Sequence, residues 1–360
     1  MRIWIALVNQ VVNVSRIVLP LRVKDVLHLL LKVIRCQLNS TVVFILFSLL
    51  YILFLKKIMD NKTPKNTLKT ICYGEILWDQ FPDGKTLGGA PLNVALRLRS
   101  LDAESTIISR LGNDDLAFET QAELASFNIN QDLIQTDENL KTGIVDVKLD
   151  DTGSASYMIN KPVAWDNIQL TEANQKEVAD SDLFIFGSLA CRSETSCKTL
   201  EKLLEKAQKS VFDVNFRAPH YNLNQVNLLL KKADVVKMNE DELLELCAYY
   251  EFETDSLEDA IQHMNKHLTA KTFCVTRGDA GALLLHEDQL YDCTGYETTV
   301  VDTVGAGDSF LAGLLYKLYT SGDPEEALHF GCALGALVAG KKGANAYIDK
   351  QEIMAKIDKN

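Results

Sequence analysis

Residues 70–360 predict an α/β fold: a central, mostly parallel sheet flanked by helices, with a small β lid. Three observations carry this. Short apolar runs alternate with amphipathic stretches of helical period, the pattern of parallel strands joined through helices. Two runs of period two, 142–149 and 154–159, flank Asp150-Asp151-Thr152-Gly153 and predict a hairpin inserted into that layered core. The composition, 47% apolar and 24% charged over 360 residues, excludes a disordered, collagen-like or small disulfide-stapled chain.

The elements follow in order. Apolar runs at 70–73, 105–109, 183–186, 211–214, 235–237, 273–276 and 282–285 predict strands. Helical periodicity predicts helices over 91–101, 115–126, 194–209, 240–249, 257–268, 307–319 and 324–339. Phe310, Leu311, Leu314, Leu315 and Leu318 make one apolar stripe, and Gly322 ends that helix. Asp323-Pro324-Glu325-Glu326 opens the next, with Asp as N-cap, Pro at N1 and Glu at N3.

The net charge of −12 leaves no basic footprint for a nucleic acid. The charge is unevenly spread. Residues 1–58 carry eight Lys/Arg against the single acid Asp25, a net of +7, so the rest of the chain carries −19. Twenty uncharged residues, 36–55, are long enough to cross a bilayer as a helix. Three readings compete: a membrane anchor through 36–55, a buried helix, or an over-extended reading frame with translation starting at Met59. Arg22, Lys24, Lys32 and Arg35 would hold the N-terminus in the cytoplasm and export the acidic part. A part that works on a cytosolic substrate could not be exported, which favours the start at Met59. The expected organisation is an N-terminal extension at 1–58, a flexible stretch at 59–69 and a cytoplasmic catalytic domain at 70–360.

The eight cysteines form no Cys-x-x-Cys pair, and several lie in apolar runs, so reduced core cysteines are expected. His263 and His267 have zinc-helix spacing without the intervening glutamate and read as surface histidines. Gly335 to Lys342 imitates a phosphate-binding P-loop without its final Ser or Thr, inside a predicted helix, and reads as helix-packing glycines.

The most informative stretch is Val301-Asp302-Thr303-Val304-Gly305-Ala306-Gly307-Asp308-Ser309-Phe310. A strand-like run enters a Gly-Ala-Gly turn and a helix leaves it. Bare amides at a helix N-terminus bind anions, and the glycines let a phosphate approach. Asp308 in the first turn can accept a proton from a hydroxyl attacking that phosphate. By geometry alone, an acid favoured by the helix dipole reads equally well there. At the other end of the domain, Gly74-Glu75-Ile76-Leu77-Trp78-Asp79 follows the first strand, where ligands sit in open α/β sheets.

Asp302–Leu315 resembles the C-terminal signature of the PfkB (ribokinase-like) family of sugar kinases. Gly88-Gly89-Ala90-Pro91-Leu92-Asn93-Val94-Ala95 resembles the N-terminal one, with Asp102 standing where the signature has a small residue. The resemblance covers about residues 70–358 and implies a Rossmann-like domain with lid segments near 80–89 and 140–165. It implies transfer of the ATP γ-phosphate to a sugar hydroxyl, with Asp308 as base and Gly305, Ala306 and Gly307 as anion hole. Asn239 and Glu242 match the family's Asn-x-x-Glu motif and would place Mg²⁺ and phosphate, although Asn239 also reads as a simple helix cap. Lys237, Thr276, Gly278, Gly281 and Asn345 complete the implied nucleotide set. A monovalent cation binds near Asp302-Thr303 in some relatives, and many relatives are dimers.

By the same resemblance, Asp79, Gly88, Gly89 and Asn93 contact the sugar, Trp165 gives an apolar wall, and Asn215 and Arg217 join them. Arg217 also reads as an ordinary ion-pair partner. The Gly-Glu opening, Trp78-Asp79, the Gly-Gly-Ala-Pro-x-Asn run and Ala164-Trp165-Asp166 look most similar to fructokinases. The expected reaction is therefore D-fructose to fructose 6-phosphate. The alternatives are 2-keto-3-deoxygluconate or ribose as acceptor, or a non-catalytic sugar-binding regulator on the same fold.

Overall fold

The computed structural model describes residues 67–81, 84–149 and 155–359. The 36–55 segment, the start at Met59 and the turn at 150–153 lie outside them. Among the described residues no helix is long and apolar enough to cross a membrane.

In chain order, β1 (Lys69–Tyr73), β2 (Leu77–Phe81) and β3 (Gly84–Gly88) precede α1 (Ala90–Ser100), β4 (Glu104–Gly112) and α2 (Asp115–Ser126). Then come β5 (Ile134–Asp137), β6 (Gly143–Leu149), β7 (Ala155–Ile159), α3 (Glu172–Ala179), β8 (Leu183–Gly187) and α4 (Glu194–Leu204). Next are β9 (Ser210–Asp213), α5 (Leu223–Leu230), β10 (Val235–Asn239), α6 (Glu240–Tyr249) and α7 (Leu257–His267). The chain closes with β11 (Thr272–Thr276), β12 (Ala282–His286), β13 (Gln289–Cys293), α8 (Ala306–Ser321), α9 (Pro324–Ala339) and α10 (Lys350–Ile357).

The described residues form a nine-stranded sheet, ordered β13-β12-β11-β10-β9-β8-β1-β4-β5, with only β12 reversed, pairing antiparallel with β11 and β13. Both faces are covered. In β8, Phe184 and Phe186 pack into one core with Phe212 and Phe273, while Leu183 and Ile185 pack into the other with Cys72 and Val211. Period-two alternation between two buried faces is why these strands read as continuous apolar runs.

A second sheet, β3-β2-β6-β7, combines the segments on either side of α1 through β5. Here β2 pairs antiparallel with β3 and parallel with β6, and β6 pairs antiparallel with β7. Asp79 therefore lies within β2 of this small sheet, not at the end of β1 as the sequence led us to expect.

Other expectations need correction. The helix expected to reach 209 stops at Leu204. No strand leads into the Gly-Ala-Gly turn: Val301 is 61% exposed, and the amides of Val301 and Asp302 both donate to Ala339 O. That segment is pinned to the end of α9 instead of pairing in a ladder. Cys191 and Cys197 form a disulfide, because the turn at Leu189–Arg192 brings one against the first turn of α4 that carries the other. Cys72, Cys247, Cys274, Cys293 and Cys332 are free and buried. The P-loop look-alike lies on and just beyond α9, where Gly335 packs closely against Ala306 and Phe310 of α8. Asp102 has φ 64, a left-handed turn that explains the small residue usual at that place, and it pairs with Lys350 at 2.9 Å.

Candidate active site

The phosphate end is built at the start of α8. Gly305 caps the helix in the left-handed conformation (φ 74), and a Cβ there would collide with Ala344. Asp302 ties the loop down, accepting from Val304 N and Gly343 N, each at 3.0 Å. The first residues of α8 open onto a cleft of about 1360 Å³, lined also by Asn239, Thr276, Gly278 and Gly281. Four residues named from sequence for the nucleotide thus share one wall with Ala306 and Gly307.

Lys237 is buried in the middle of β10 and pairs with Asp213 of β9 at 2.9 Å. Burial opposes its charge, but Asp213, Glu242 and Asp308 around it keep it above its ordinary value. Asn239 and Glu242 form a capping box: Asn239 Oδ1 accepts from Glu242 N at 2.8 Å, and Glu242 Oε2 accepts from Asn239 N at 2.9 Å. Glu242 Oε1 accepts from Phe216 N at 2.8 Å. Burial raises the Glu242 carboxyl above its usual range. The Asn-x-x-Glu motif therefore does structural work first, as the capping reading anticipates.

Asp308 sits in the first turn of α8, where Asn93 Nδ2 donates to its Oδ2 at 2.8 Å. Asn345 Nδ2 in turn donates to Asn93 Oδ1 at 3.3 Å. Burial first, then the nearby Asp213, push Asp308 up to about 6, against the Asn93 hydrogen bond and the charges of Lys237 and Arg217. An acid in that range is ionised at neutral pH yet basic enough to take a hydroxyl proton in a transition state.

The sugar end lies beside it. Asp79 stands against Gly88 across the β2–β3 pair, and burial raises it to about 6, opposed by Arg217. Gly89 precedes α1 at φ 114, and a Cβ there would strike the Glu75 carbonyl. Arg217 is exposed; among the described residues its side chain bonds only the Phe216 carbonyl, and its charge acts on Glu75, Asp79 and Asp308 together. Asn215 occupies a left-handed turn (φ 41) after β9. Trp165 is different: it has no exposed surface, and the Arg192 guanidinium lies 3.8 Å over its ring, held by Asp166 at 2.7 Å. It supports the base of the small sheet from within the core and is not brought to the cleft surface.

The model of the pfkB family carbohydrate kinases matches residues 64–351. The chain belongs to the PfkB family of carbohydrate kinases. An uncharacterized sugar kinase from Pyrococcus horikoshii is 31% identical over 278 residues, covering 74% of this chain and 85% of that one. Its crystal structure superposes with TM-score 0.69. Fructokinase-2 of Solanum lycopersicum is 28% identical over 306 residues, 76% of this chain and 91% of that one. Among solved structures, the fructokinase from Vibrio cholerae, in a form with fructose, ADP and calcium ion bound, has TM-score 0.70 at 26% identity, covering 81% of this chain and 99% of that one. The protein is a sugar kinase of this family with the ribokinase-like fold, and it is fructokinase-like.

Within this PfkB site, three polar groups escape a sequence reading. Glu75 is 3% exposed, its Oε2 has no partner among the described residues, and burial raises it to about 7. Asp213 is likewise buried with Oδ2 unpartnered. Arg97 is buried on α1. For Arg97 a signal exists: it lies four residues after Asn93, on the same helical face.

Proposed function

We propose that the chain phosphorylates D-fructose from ATP, giving fructose 6-phosphate. The observation that carries this reading is Asp308: one carboxylate at the phosphate-binding helix start, held by the sugar-side Asn93. A fructose hydroxyl, held by Asp79, Asn93 and the backbone at Gly88-Gly89, faces the γ-phosphate. Its proton passes to the Asp308 carboxylate as the oxygen bonds to phosphorus and the bond to ADP breaks. The Gly305, Ala306 and Gly307 amides and the helix dipole stabilise the charge on the transferring phosphoryl group. Arg217 and Lys237 add positive charge from two sides. Closure of the small sheet over the sugar excludes water and limits idle hydrolysis. An intact base argues against a non-catalytic regulator.

Mg²⁺ bound with ATP would neutralise phosphate charge. Among the described residues no group of three or more His, Cys, Asp or Glu side chains could hold a metal ion. Both Glu242 oxygens already accept from amides. These residues suit an ion carried mainly by phosphates and water, with Asn239 and Glu242 nearby, and the free Oδ2 of Asp213 supplies a further buried acceptor. The use of ATP supports a cytoplasmic location.

A sugar acid such as 2-keto-3-deoxygluconate is the second reading, favoured by the exposed Arg217 guanidinium at the sugar end. Coupled ADP release measured across a sugar panel separates the two.

A further inference from the structure

Arg97 is 3% exposed and has no carboxylate partner among the described residues. Its Nε donates to Ser309 Oγ at 3.1 Å, and its Nη2 donates to Ala344 O at 3.1 Å and Ala346 O at 2.9 Å. Burying a guanidinium against neutral oxygens alone is unfavourable, and burial lowers its pKa to about 10. A methionine would fill much of the same space without that cost. What the arginine adds is a grip on three segments far apart in sequence.

Each segment bears on the base. Ser309 directly follows Asp308. Ala344 packs against Gly305, the cap of the phosphate-binding helix. Asn345 lies between the two gripped carbonyls, and its Nδ2 donates to Asn93 Oδ1. That bond and the Asp308 carboxylate, which can only accept, hold the Asn93 amide in one orientation from its two ends. With Oδ1 occupied by a donor, Nδ2 is left to donate to Asp308. If Asn345 moves away, the amide loses one of the two contacts that hold it, and Nδ2 is aimed less firmly at the carboxylate.

We propose that Arg97 is a positioning residue for phosphoryl transfer: by clamping the 344–346 strap to α1 and to Ser309, it fixes Asn345, hence the Asn93 amide, hence the aim of Asp308. The proposal rests on the kinase reading above and adds the device that aligns its base.

The test compares Arg97→Met, which has no donor, with Arg97→Lys, which keeps a charged donor. In Arg97→Met, kcat falls roughly ten- to a hundredfold, as expected of a misaligned reacting group, while the sugar KM changes far less. Arg97→Lys recovers a large part of kcat. The acid limb of kcat also moves to higher pH in Arg97→Met, because Asp308 loses the donor that favours its charged form. Asp308 is faced as well by Asp213, Lys237, Arg217, Glu75 and the Cys72 thiol. None of these is altered by the substitution, but losing the Arg97 charge also raises Asp308, so the limb is compared with that of Arg97→Lys, which keeps the charge.

Unchanged kcat in Arg97→Met overturns the proposal, as does a loss that leaves the acid limb in place and is not rescued by lysine. Should Arg97→Met fail to fold, Arg97→Gln, whose shorter neutral side chain cannot reach all three acceptors, carries the test: a reduced kcat with a raised limb supports the proposal, and wild-type values overturn it. Amide exchange at 344–346 in the unliganded protein gives a readout independent of turnover. Faster exchange in the variants supports the clamp and unchanged exchange overturns it, even if no sugar is found to be a substrate and the kinase reading itself falls.

Discussion

Asn93 Nδ2 donates to Asp308 Oδ2 at 2.8 Å across 215 residues of sequence. The bond joins the helix after Gly88-Gly89 to the first turn of the phosphate-binding helix, so the sugar side and the phosphate side share one carboxylate. Its pH behaviour follows. Asp308 works as a base only when ionised, and its pKa is raised to about 6. Turnover is therefore expected to fall as pH drops through about 6. Asn93→Ala removes a hydrogen bond that favours the charged form, so its acid limb lies at higher pH. Profiles of kcat against pH for the two proteins check this.

Asp308→Asn keeps the shape of the site but removes the base. Turnover is expected to fall by at least roughly a hundredfold while ADP binding, read by calorimetry, persists. Stability moves the other way. A carboxyl whose folded pKa lies above its unfolded value stabilises the protein at low pH and loses that contribution as pH rises through about 6. The variant lacks this loss, so its Tm exceeds that of the wild type at pH 8, and the gap narrows toward pH 5.

The glycines of the turn differ in what they tolerate. At Gly305 an alanine meets both a left-handed backbone and Ala344, so Gly305→Ala is expected to lower Tm and abolish activity. At Gly307 the nearest atom to a Cβ is Lys237 Nζ at 3.6 Å, an ordinary contact. Gly307→Ala should fold with near wild-type Tm yet raise the KM for ATP, because its methyl group projects where the phosphate approaches. Melting curves paired with ATP titrations separate the two outcomes.

Lys237 and Asp213 form a buried pair. Lys237→Met strands the Asp213 charge, whose Oδ2 already lacks a partner, and is expected to destabilise the fold by roughly 3–5 kcal/mol. Adding Asp213→Leu should restore most of that stability without restoring activity. Denaturant unfolding of the single and double variants measures it.

The central strands are legible in the sequence because burial on both faces leaves runs such as Leu183–Gly187 apolar throughout. The two glycine motifs are legible because amides at a helix start and close backbone approach demand those residue types. β2 and β3 are not legible: Leu77–Phe81 mixes polar and apolar residues, and its identity as a strand depends on β6, far along the chain. α5 is only eight residues long, too short for its apolar spacing to reveal a helical period. The burial of Trp165 is set by Arg192 across 27 residues, and the Cys191–Cys197 bond by a local turn with no motif of its own. Glu75, Arg97 and Asp213 become functional candidates only once the fold shows them buried beside Asp308.

Rates of ADP release across fructose, ribose, 2-keto-3-deoxygluconate and glucose, with ATP and Mg²⁺, test the central claim most directly. The account predicts the highest kcat/KM with fructose and the loss of that activity in Asp308→Asn. No advantage of fructose over the other sugars would contradict the substrate, and undiminished turnover in Asp308→Asn would contradict the base.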